Sequence, residues 1–407
     1  MSYAYTLYDS IDEVDPADWE AVWPGVEADP FMDPRFVATV ERSMSNQGRY
    51  WTVLIRDGRG RPAAAACLSL MSLDMTILAP DAIKQFFETG RRVFSRMCYY
   101  NVLLLGLPVS AGQSHLRIRS DADLEEVLRT LDRALRRLGA CNRARLIIFK
   151  EIAGRQRKYM DKLCRLGYRR MDSLPMNRFA LPFGSFDAYC AALKSSYRRQ
   201  VRPSLRKYEK GGLRTVRVSG DQGADRLYTD QMHTLYENLL RNASERFEHI
   251  TPQFYRELLR RFGDRAALTI IYDSRDRPLA TSLSLSAGPV YHLLYFGVDL
   301  ESNRRYDAYF NLVYRELDHA MRRGAADIVV GQTADTFKSR LGCYQQPLYL
   351  YVKGLRLMSP FLSALGDTFL PRIRPLKPRN ILLSDADGKA GPQTLTVESR
   401  RESAIVY

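Results

Sequence analysis

The sequence predicts an α/β protein, a mixed sheet with flanking helices, in which one folding unit occurs twice. Three observations predict it. Apolar runs of strand length alternate with amphipathic helical stretches along most of the chain. The order hairpin, long strand, polar loop, helix, strand, short helix is read twice, the copies lying about 180 residues apart. Both copies close the short helix with the same pair, Leu166-Gly167 and Leu341-Gly342, and glycine is the usual left-handed cap after a last helical residue.

Residues 1–48 read as an opening segment with Trp19 and Trp23, in which Asp33 before Pro34 has the form of an N-cap with proline at the first helical position. From Tyr50 the period is that of a strand. Trp51 to Arg56, the turn Asp57-Gly-Arg-Gly-Arg-Pro62 and the apolar run Ala63 to Leu73 make a hairpin by turn chemistry. A buried strand, Asn101 to Pro108, leads through Val109 to Arg117 into a helix over Ala122 to Leu138, whose Leu124, Val127, Leu128, Leu131, Leu135 and Leu138 share one face. A strand (Arg145 to Lys150) and a basic helix (Arg155 to Leu166) complete the first unit.

The second unit opens on a helix, Phe186 to Leu193, and a basic segment, Lys194 to Lys210, that ends at Gly211-Gly212. Helices over Asp225 to Leu240 and Pro252 to Phe262 follow, joined by a polar loop, Asn242 to Thr251, whose length and aromatic content suit a segment lying over a site. Next come a hairpin (Leu268 to Ser286, turning at Asp273 to Arg277), a strand (Val290 to Val298), a polar turn (Asp299 to Asp307) and a helix (Ala308 to Arg323). The strand Asp327 to Gly331, a short helix (Asp335 to Leu341) and an aromatic strand (Pro347 to Val352) end the unit. Beyond Lys353 the pattern predicts one packing helix (Leu355 to Leu370), a linker (Pro371 to Pro378) and a loosely ordered tail. The expected parts are 1–182, then 183–355 with a basic helical insert at 186–212, then 356–407.

With 407 residues, 45% of them hydrophobic, the chain has material for two cores and is too apolar to be disordered. No apolar run reaches the roughly 18 residues a membrane span needs, and the first residues lack the basic start and apolar core of a signal peptide, so a cytoplasmic home is expected. The six cysteines form no C-x-x-C pair and the five histidines no H-E-x-x-H, so neither a disulfide framework nor a metal is expected. The net charge of +15 favours polyanionic partners.

Candidate site residues cluster in the second unit. Asn303, Arg304, Arg305, Tyr306, Asp307 and Ala308 form a basic loop at a helix entrance, where unpaired N–H groups and the helix dipole favour an anion and the arginines add charge-assisted bonds. A solvated turn capped by Ser302 or Asn303 is the plainer reading, and the loop by itself leaves both open. Gln332 and Asp335 follow a strand end, where open sheets present ligand-facing residues. On a helix, Arg198, Arg199, Arg202 and Arg206 share much of one side, as a phosphate-binding stripe or a solvated basic face, with Pro203 marking a kink or a second helix start. Tyr291, Tyr295, Tyr306 and Tyr309 read as core or rim, and Cys343 as a buried small residue.

This doubled unit resembles the GNAT acyltransferase fold, as two tandem GNAT-like domains, and with its basic insert it resembles the FemAB-like and BioF2-like branch. The resemblance rests on Asp29-Pro-Phe, Leu193-Lys-Ser-Ser-Tyr-Arg-Arg-Gln-Val-Arg202, Arg277-Pro-Leu-Ala-Thr-Ser, Gly324-Ala-Ala-Asp-Ile-Val-Val-Gly331 and Phe337-Lys-Ser-Arg-Leu-Gly342, and covers residues 30–353. It implies transfer of an acyl group from an activated donor to a small-molecule or peptide amine. The donor is an acyl-CoA such as acetyl-CoA, an acyl carrier protein thioester, or an aminoacyl-tRNA. It further implies that Lys338 matches the motif lysine, which in the tRNA-dependent branch lies near the acyl-ester end, that a phenol near the leaving group acts as acid, with Tyr344 a candidate alongside the other tyrosines, and that residues 303–308 and Phe337 meet the donor; a surface lysine on an amphipathic turn is the plainer reading of Lys338. Arg198, Arg199, Arg202 and His249 are then expected to face substrate or tRNA. An aminoacyl-tRNA-dependent aminoacyltransferase is the close rival of the CoA reading, and a non-catalytic basic binding protein is the alternative from another class.

Overall fold

Asp57 and Asp273 build the same turn. Asp57 accepts hydrogen bonds from the N–H groups of Arg59 and Arg61, and Asp273 accepts from those of Arg275 and Arg277. The fourth residue of each turn, Gly60 or Asp276, takes a left-handed φ of 76° or 58°, and each turn hands on to a strand that begins with proline. The two hairpins are copies down to their hydrogen bonds.

The computed structural model describes residues 3–74, 99–242, 248–332, 335–355 and 379–383. The helix, linker and tail expected over Leu355 to Tyr407 lie almost wholly outside the described residues. In chain order the first half holds β1 (Ala4–Tyr8), α1 (Pro16–Glu20), α2 (Pro34–Ser43), β2 (Gly48–Arg56), β3 (Pro62–Asp74), β4 (Tyr99–Leu105) and β5 (Leu116–Ile118). It continues with α3 (Leu124–Cys141), β6 (Leu146–Ala153), α4 (Arg157–Met160) and β7 (Arg169–Ala180). The second half holds α5 (Phe186–Ala192), α6 (Ser195–Lys210), β8 (Arg214–Ser219), α7 (Ala224–Leu227), α8 (Asp230–Asn242) and α9 (Pro252–Phe262). After these come β9 (Ala266–Tyr272), β10 (Pro278–Ala287), β11 (Val290–Val298), α10 (Leu300–Tyr306), α11 (Ala308–Arg322), β12 (Asp327–Gly331), α12 (Asp335–Arg340) and β13 (Tyr344–Gly354). Among the described residues no helix is long and apolar enough to cross a membrane.

One mixed sheet runs through both halves in the order β1-β2-β3-β4-β6-β13-β7-β12-β11-β10-β9-β8, with β5 added to β3. The centre of that order exchanges strands. β13, from the second half, lies antiparallel to β6 of the first, while β7, from the first half, lies antiparallel to β12 of the second. The division expected at residue 182 falls between β7 and α5, yet the ladder crosses it. Gly167 and Gly342, the residues that lead into the exchanged strands, both take φ near the left-handed region, 87° and 86°. No side chain blocks that conformation in glycine.

Each element follows from its local sequence. Asp123 caps α3 by accepting from the N–H groups of Glu125 and Glu126, and Val127, Leu128, Leu131, Leu135 and Leu138 are buried beneath it. Burying each such side chain contributes about 1.5–3 kcal/mol. The opening segment joins the two halves: Phe36 of α2 packs edge-on to Phe254 and Phe262 of α9, with ring centroids 6.2 and 6.4 Å apart.

Two local readings are corrected. Residues Leu300–Tyr306 are a helix, α10, flanked by Asp299 and Asp307, and not a polar turn: Asp299 accepts from the Ser302 N–H at 2.9 Å, and nothing from Leu300 to Tyr306 breaks a helix once that cap is made. The charged residues that suggested a loop are its outer face. Pro203 does not restart the basic helix, which runs unbroken from Ser195 to Lys210. Arg199, whose carbonyl loses its usual donor to that proline, is exposed, so water can replace it.

Candidate active site

The second half carries an opening in the sheet that the first half lacks. β11 and β12 pair in parallel only over Val290–His292 with Asp327–Val329, and then part. In the first half β4 and β6 stay paired up to Leu105 and Phe149, where β4 ends. Among the described residues no strand pairs with β11 on the β12 side from Leu293 to Val298, so backbone groups there face the opening without a ladder partner in that set. A bulge in β12 widens the mouth. It falls at Val330, beside left-handed Gly331 (φ 91°), and the matching bulge in β6 holds Glu151 in the left-handed region (φ 56°).

Lys338 lies at the floor of this opening. It is 3% exposed, and a Cβ on Gly331 would stand 3.5 Å from its ammonium nitrogen. Placing a buried cation on the short Phe-Lys-Ser-Arg-Leu-Gly helix brings it against a strand end, where charge is developed or bound more often than by chance. Cys343 is buried beside it, its thiol pushed up to about 12 by burial despite the lysine. Four aromatics line the parted strands: Phe296 contacts Tyr309 at 5.3 Å, Tyr309 contacts Phe337 at 5.7 Å, and Phe310 stacks on Phe337 at 4.5 Å between ring centroids. Burial pushes the Tyr309 hydroxyl up to about 12.

Gln332 and Tyr344 sit at the same mouth by different means. Gln332 donates from Nε2 to the Leu174 carbonyl of β7 at 3.0 Å, holding the end of β12 to the exchanged strand. Tyr344 is the first residue of β13 and is 37% exposed. Burial of its ring raises its pKa, and the neighbouring Arg178 works against that rise.

The helix entrance is closed by the chain's own groups. Asn303 accepts from the Tyr309 N–H at 3.0 Å, capping α11, and Asp307 separates the two helices at φ 53°. Its carboxylate takes hydrogen bonds from Ser204 (2.7 Å) and Lys207 (2.9 Å) of α6. Ala308 is buried, and Tyr306 packs where a Cβ on Gly211 would stand 2.8 Å from its ring. Arg304 and Arg305 are exposed on the last turn of α10, with Arg305 over the Tyr306 ring. At this helix entrance the Tyr309 N–H is taken by Asn303, and the exposed Arg304 and Arg305 add cationic charge beside it.

Along α6, Arg199, Arg202 and Arg206 are exposed on one side. Arg198 is not part of that surface: its guanidinium donates to the carbonyls of Ala191 (3.0 Å) and Leu193 (2.8 Å), satisfying the end of α5. His249 stands elsewhere again, its imidazole 3.9 Å from Glu237 of α8.

The opposite face of β11 holds groups that sequence reasoning missed. Tyr295 donates to Glu248 at 3.3 Å, and its ring is surrounded by Tyr236, Phe254 and Tyr255 at centroid distances of 5.9, 6.2 and 6.2 Å. Burial raises the pKa of Glu248; Lys150 lowers it and Glu151 raises it further. Burial also holds the Tyr295 hydroxyl well above its ordinary range. Lys150 donates to the Leu107 carbonyl at 2.9 Å, and Glu151 Oε2 is buried without a hydrogen-bond partner. The available signal was the polar loop that carries Glu248; Lys150 lies inside β6, where sequence alone gives no sign of it.

Residues 195–339 match the acetyltransferase (GNAT) domain family, a span that runs from α6 through the opening to Lys338. No curated protein matches the chain. Among solved structures, FemX shares 12% identity over 90% of this chain and 100% of its own, with a TM-score of 0.53. A tandem GNAT protein from the clavulanic acid biosynthesis pathway shares 12% identity over 87% of this chain and 98% of its own, with a TM-score of 0.50. L-PGS from Bacillus licheniformis shares 10% identity over 86% and 95%, with a TM-score of 0.50. At such identities the likeness is one of fold, and it extends over both halves of the chain. Residues 195–339 thus match the acetyltransferase (GNAT) domain family, within a chain whose fold is similar to those of FemX and the tandem GNAT protein.

Proposed function

We propose that the chain moves an acyl group from a CoA thioester to an amine, in the opening between β11 and β12. The observation that carries this reading is the parting of the two strands beyond His292. A long acyl-bearing arm needs a slot through the sheet to bring its carbonyl to a nucleophile on the other face. The residues present fit such a donor: Phe296, Tyr309, Phe310 and Phe337 supply an apolar wall, and Arg304 and Arg305 supply charge for phosphates at its outer end.

The acceptor approaches from the Glu248 and Tyr295 side. Its nitrogen attacks the thioester carbon, and the oxygen takes up negative charge. Backbone N–H groups of β11 and the Lys338 ammonium meet that charge as it develops. The carbon–sulfur bond then breaks, the proton released by the amine passes toward Glu248, and the departing thiolate takes one from Tyr344 or water. Gln332 positions the strand end that carries Gly331. The acceptor is a small-molecule or peptide amine, and the free cysteines among the described residues suit action in a reducing cytoplasm.

A second reading has its own observation. Arg199, Arg202 and Arg206 on α6, and Arg304 and Arg305 on the adjoining α10, are all exposed, a set of cations suited to a longer polyanion such as an aminoacyl-tRNA in place of CoA. The two donors are separated by titrating the protein with acetyl-CoA and with aminoacylated tRNA at two salt concentrations. Saturable CoA binding that weakens little with salt and is lost in Arg304→Ala/Arg305→Ala supports the first reading. Salt-steep tRNA binding that Arg199→Ala/Arg202→Ala weakens, with no CoA response, replaces it by the second.

A further inference from the structure

His233 and Glu237 lie one turn apart on α8 and share a face. His249, from the segment after that helix, comes to the same face. His233 Nε2 stands 4.0 Å and His249 Nε2 3.9 Å from Glu237 Oε1, and the three ligand atoms all fall within 4.8 Å of one another. His233 is 6% exposed, and its Nε2 is buried with no hydrogen-bond partner. Native proteins rarely leave such a group unsatisfied.

The rest of the ring is already oriented. Nδ1 of His233 is 3.1 Å from the Tyr228 hydroxyl, an arrangement that fixes which nitrogen faces Glu237. His249 is held from behind by Gln47, whose side chain accepts from its N–H at 3.2 Å and donates to its carbonyl. Bonds of zinc length put ligand atoms about 3–3.5 Å apart. The trio closes to that by turning Glu237 and His249, whose side chains are 36% and 52% exposed.

We propose that His233 Nε2, Glu237 and His249 Nε2 bind one divalent cation of the zinc class, with Tyr228 as a positioning residue that accepts from His233 Nδ1–H. Among the described residues no fourth histidine, cysteine or carboxylate joins the group, so water completes the shell. Glu248 directly precedes His249 in the chain, so the cation ties down the residue that faces Tyr295. The site does not depend on the transferase reading, since it is measured by binding alone. Spacing hides it: His233 and Glu237 form a four-residue step common on any helix surface, and His249 is remote in sequence.

The test is calorimetric titration of the metal-stripped full chain with zinc chloride, with cobalt(II) absorption as the readout of ligand type. One zinc per chain is expected, with a cobalt spectrum that lacks a thiolate charge-transfer band. His249→Ala and Glu237→Gln should each weaken zinc binding at least tenfold, and Tyr228→Phe should weaken it about tenfold, as loss of an orienting partner does. Both ligand variants change partly exposed side chains, so circular dichroism should report an intact fold. Absence of saturable binding by the unmodified chain, a thiolate band that places cobalt on cysteine, or undiminished zinc affinity in His249→Ala overturns the proposal.

Discussion

Arg178 and Asp327 form an ion pair across the two halves: Arg178 of β7 donates from Nε to the Asp327 carboxylate at 2.6 Å, with their side chains 19% and 8% exposed. Burial raises the pKa of Asp327 while Arg178 lowers it. Removing the guanidinium leaves a buried carboxylate unpaired, which costs about 3–5 kcal/mol. Arg178→Ala should therefore lower the urea midpoint markedly, and Arg178→Met with Asp327→Asn should recover much of the loss. A single variant as stable as the parent chain would show that the pair contributes nothing to joining the halves.

Lys338→Met keeps most of the side-chain volume and removes the charge beside Gly331. If that charge stabilises the developing oxyanion, kcat falls on the order of 100-fold while donor affinity changes little. Single-turnover kinetics and equilibrium donor binding separate the two effects. An unchanged kcat would move the lysine out of the reaction.

Glu248→Gln tests the acceptor side. A carboxylate whose pKa burial has raised loses its base function at a higher pH than an ordinary glutamate. The parent enzyme should lose kcat/KM as pH falls through that raised value, and the variant should be slow with the acidic limb absent. A limb that persists in Glu248→Gln would assign the titration to another group.

Glu41 gives a pH dependence of stability remote from the opening. Burial dominates its environment and pushes its carboxyl from the ordinary 4.5 up to about 7, although Ser10 donates to it at 2.9 Å. A raised folded-state pKa means the native form holds the proton more tightly than the unfolded chain. The associated stability is complete below about 4.5 and is lost as pH rises through about 7, by about 3 kcal/mol in all. Glu41→Gln should match the parent near pH 4.5 and exceed it at pH 8 in thermal unfolding. Parallel curves at both pH values would contradict this account.

Local chemistry made the doubled fold legible. The Asp57 and Asp273 turns and the Leu-Gly caps at Gly167 and Gly342 are written in contiguous residues, and each element follows from its own few residues. The opening between β11 and β12 is not written there, because it is a property of pairing: nothing in Leu293 to Val298 says that β12 has turned away. Helix α10 was read as a turn because its cap, Asp299, looks like any polar loop residue until the Ser302 N–H is placed. Glu248, Lys150 and Glu151 meet only because the two halves close on each other. Arg198 looked like its neighbours on the stripe, and only the position of the Leu193 carbonyl sets it apart.

The crossing of β7 and β13 also decides how the molecule can come apart. A single cut in the chain between β7 and α5 would not release two separable pieces, because each piece still clasps a strand belonging to the other. Alone, a first-half fragment would present β6 as a raw edge and carry β7 with no ladder to join, an invitation to pair with whatever strand is nearest. Deleting either half would thus strip the other of a strand partner at its centre, so the two halves are mutual templates within one sheet.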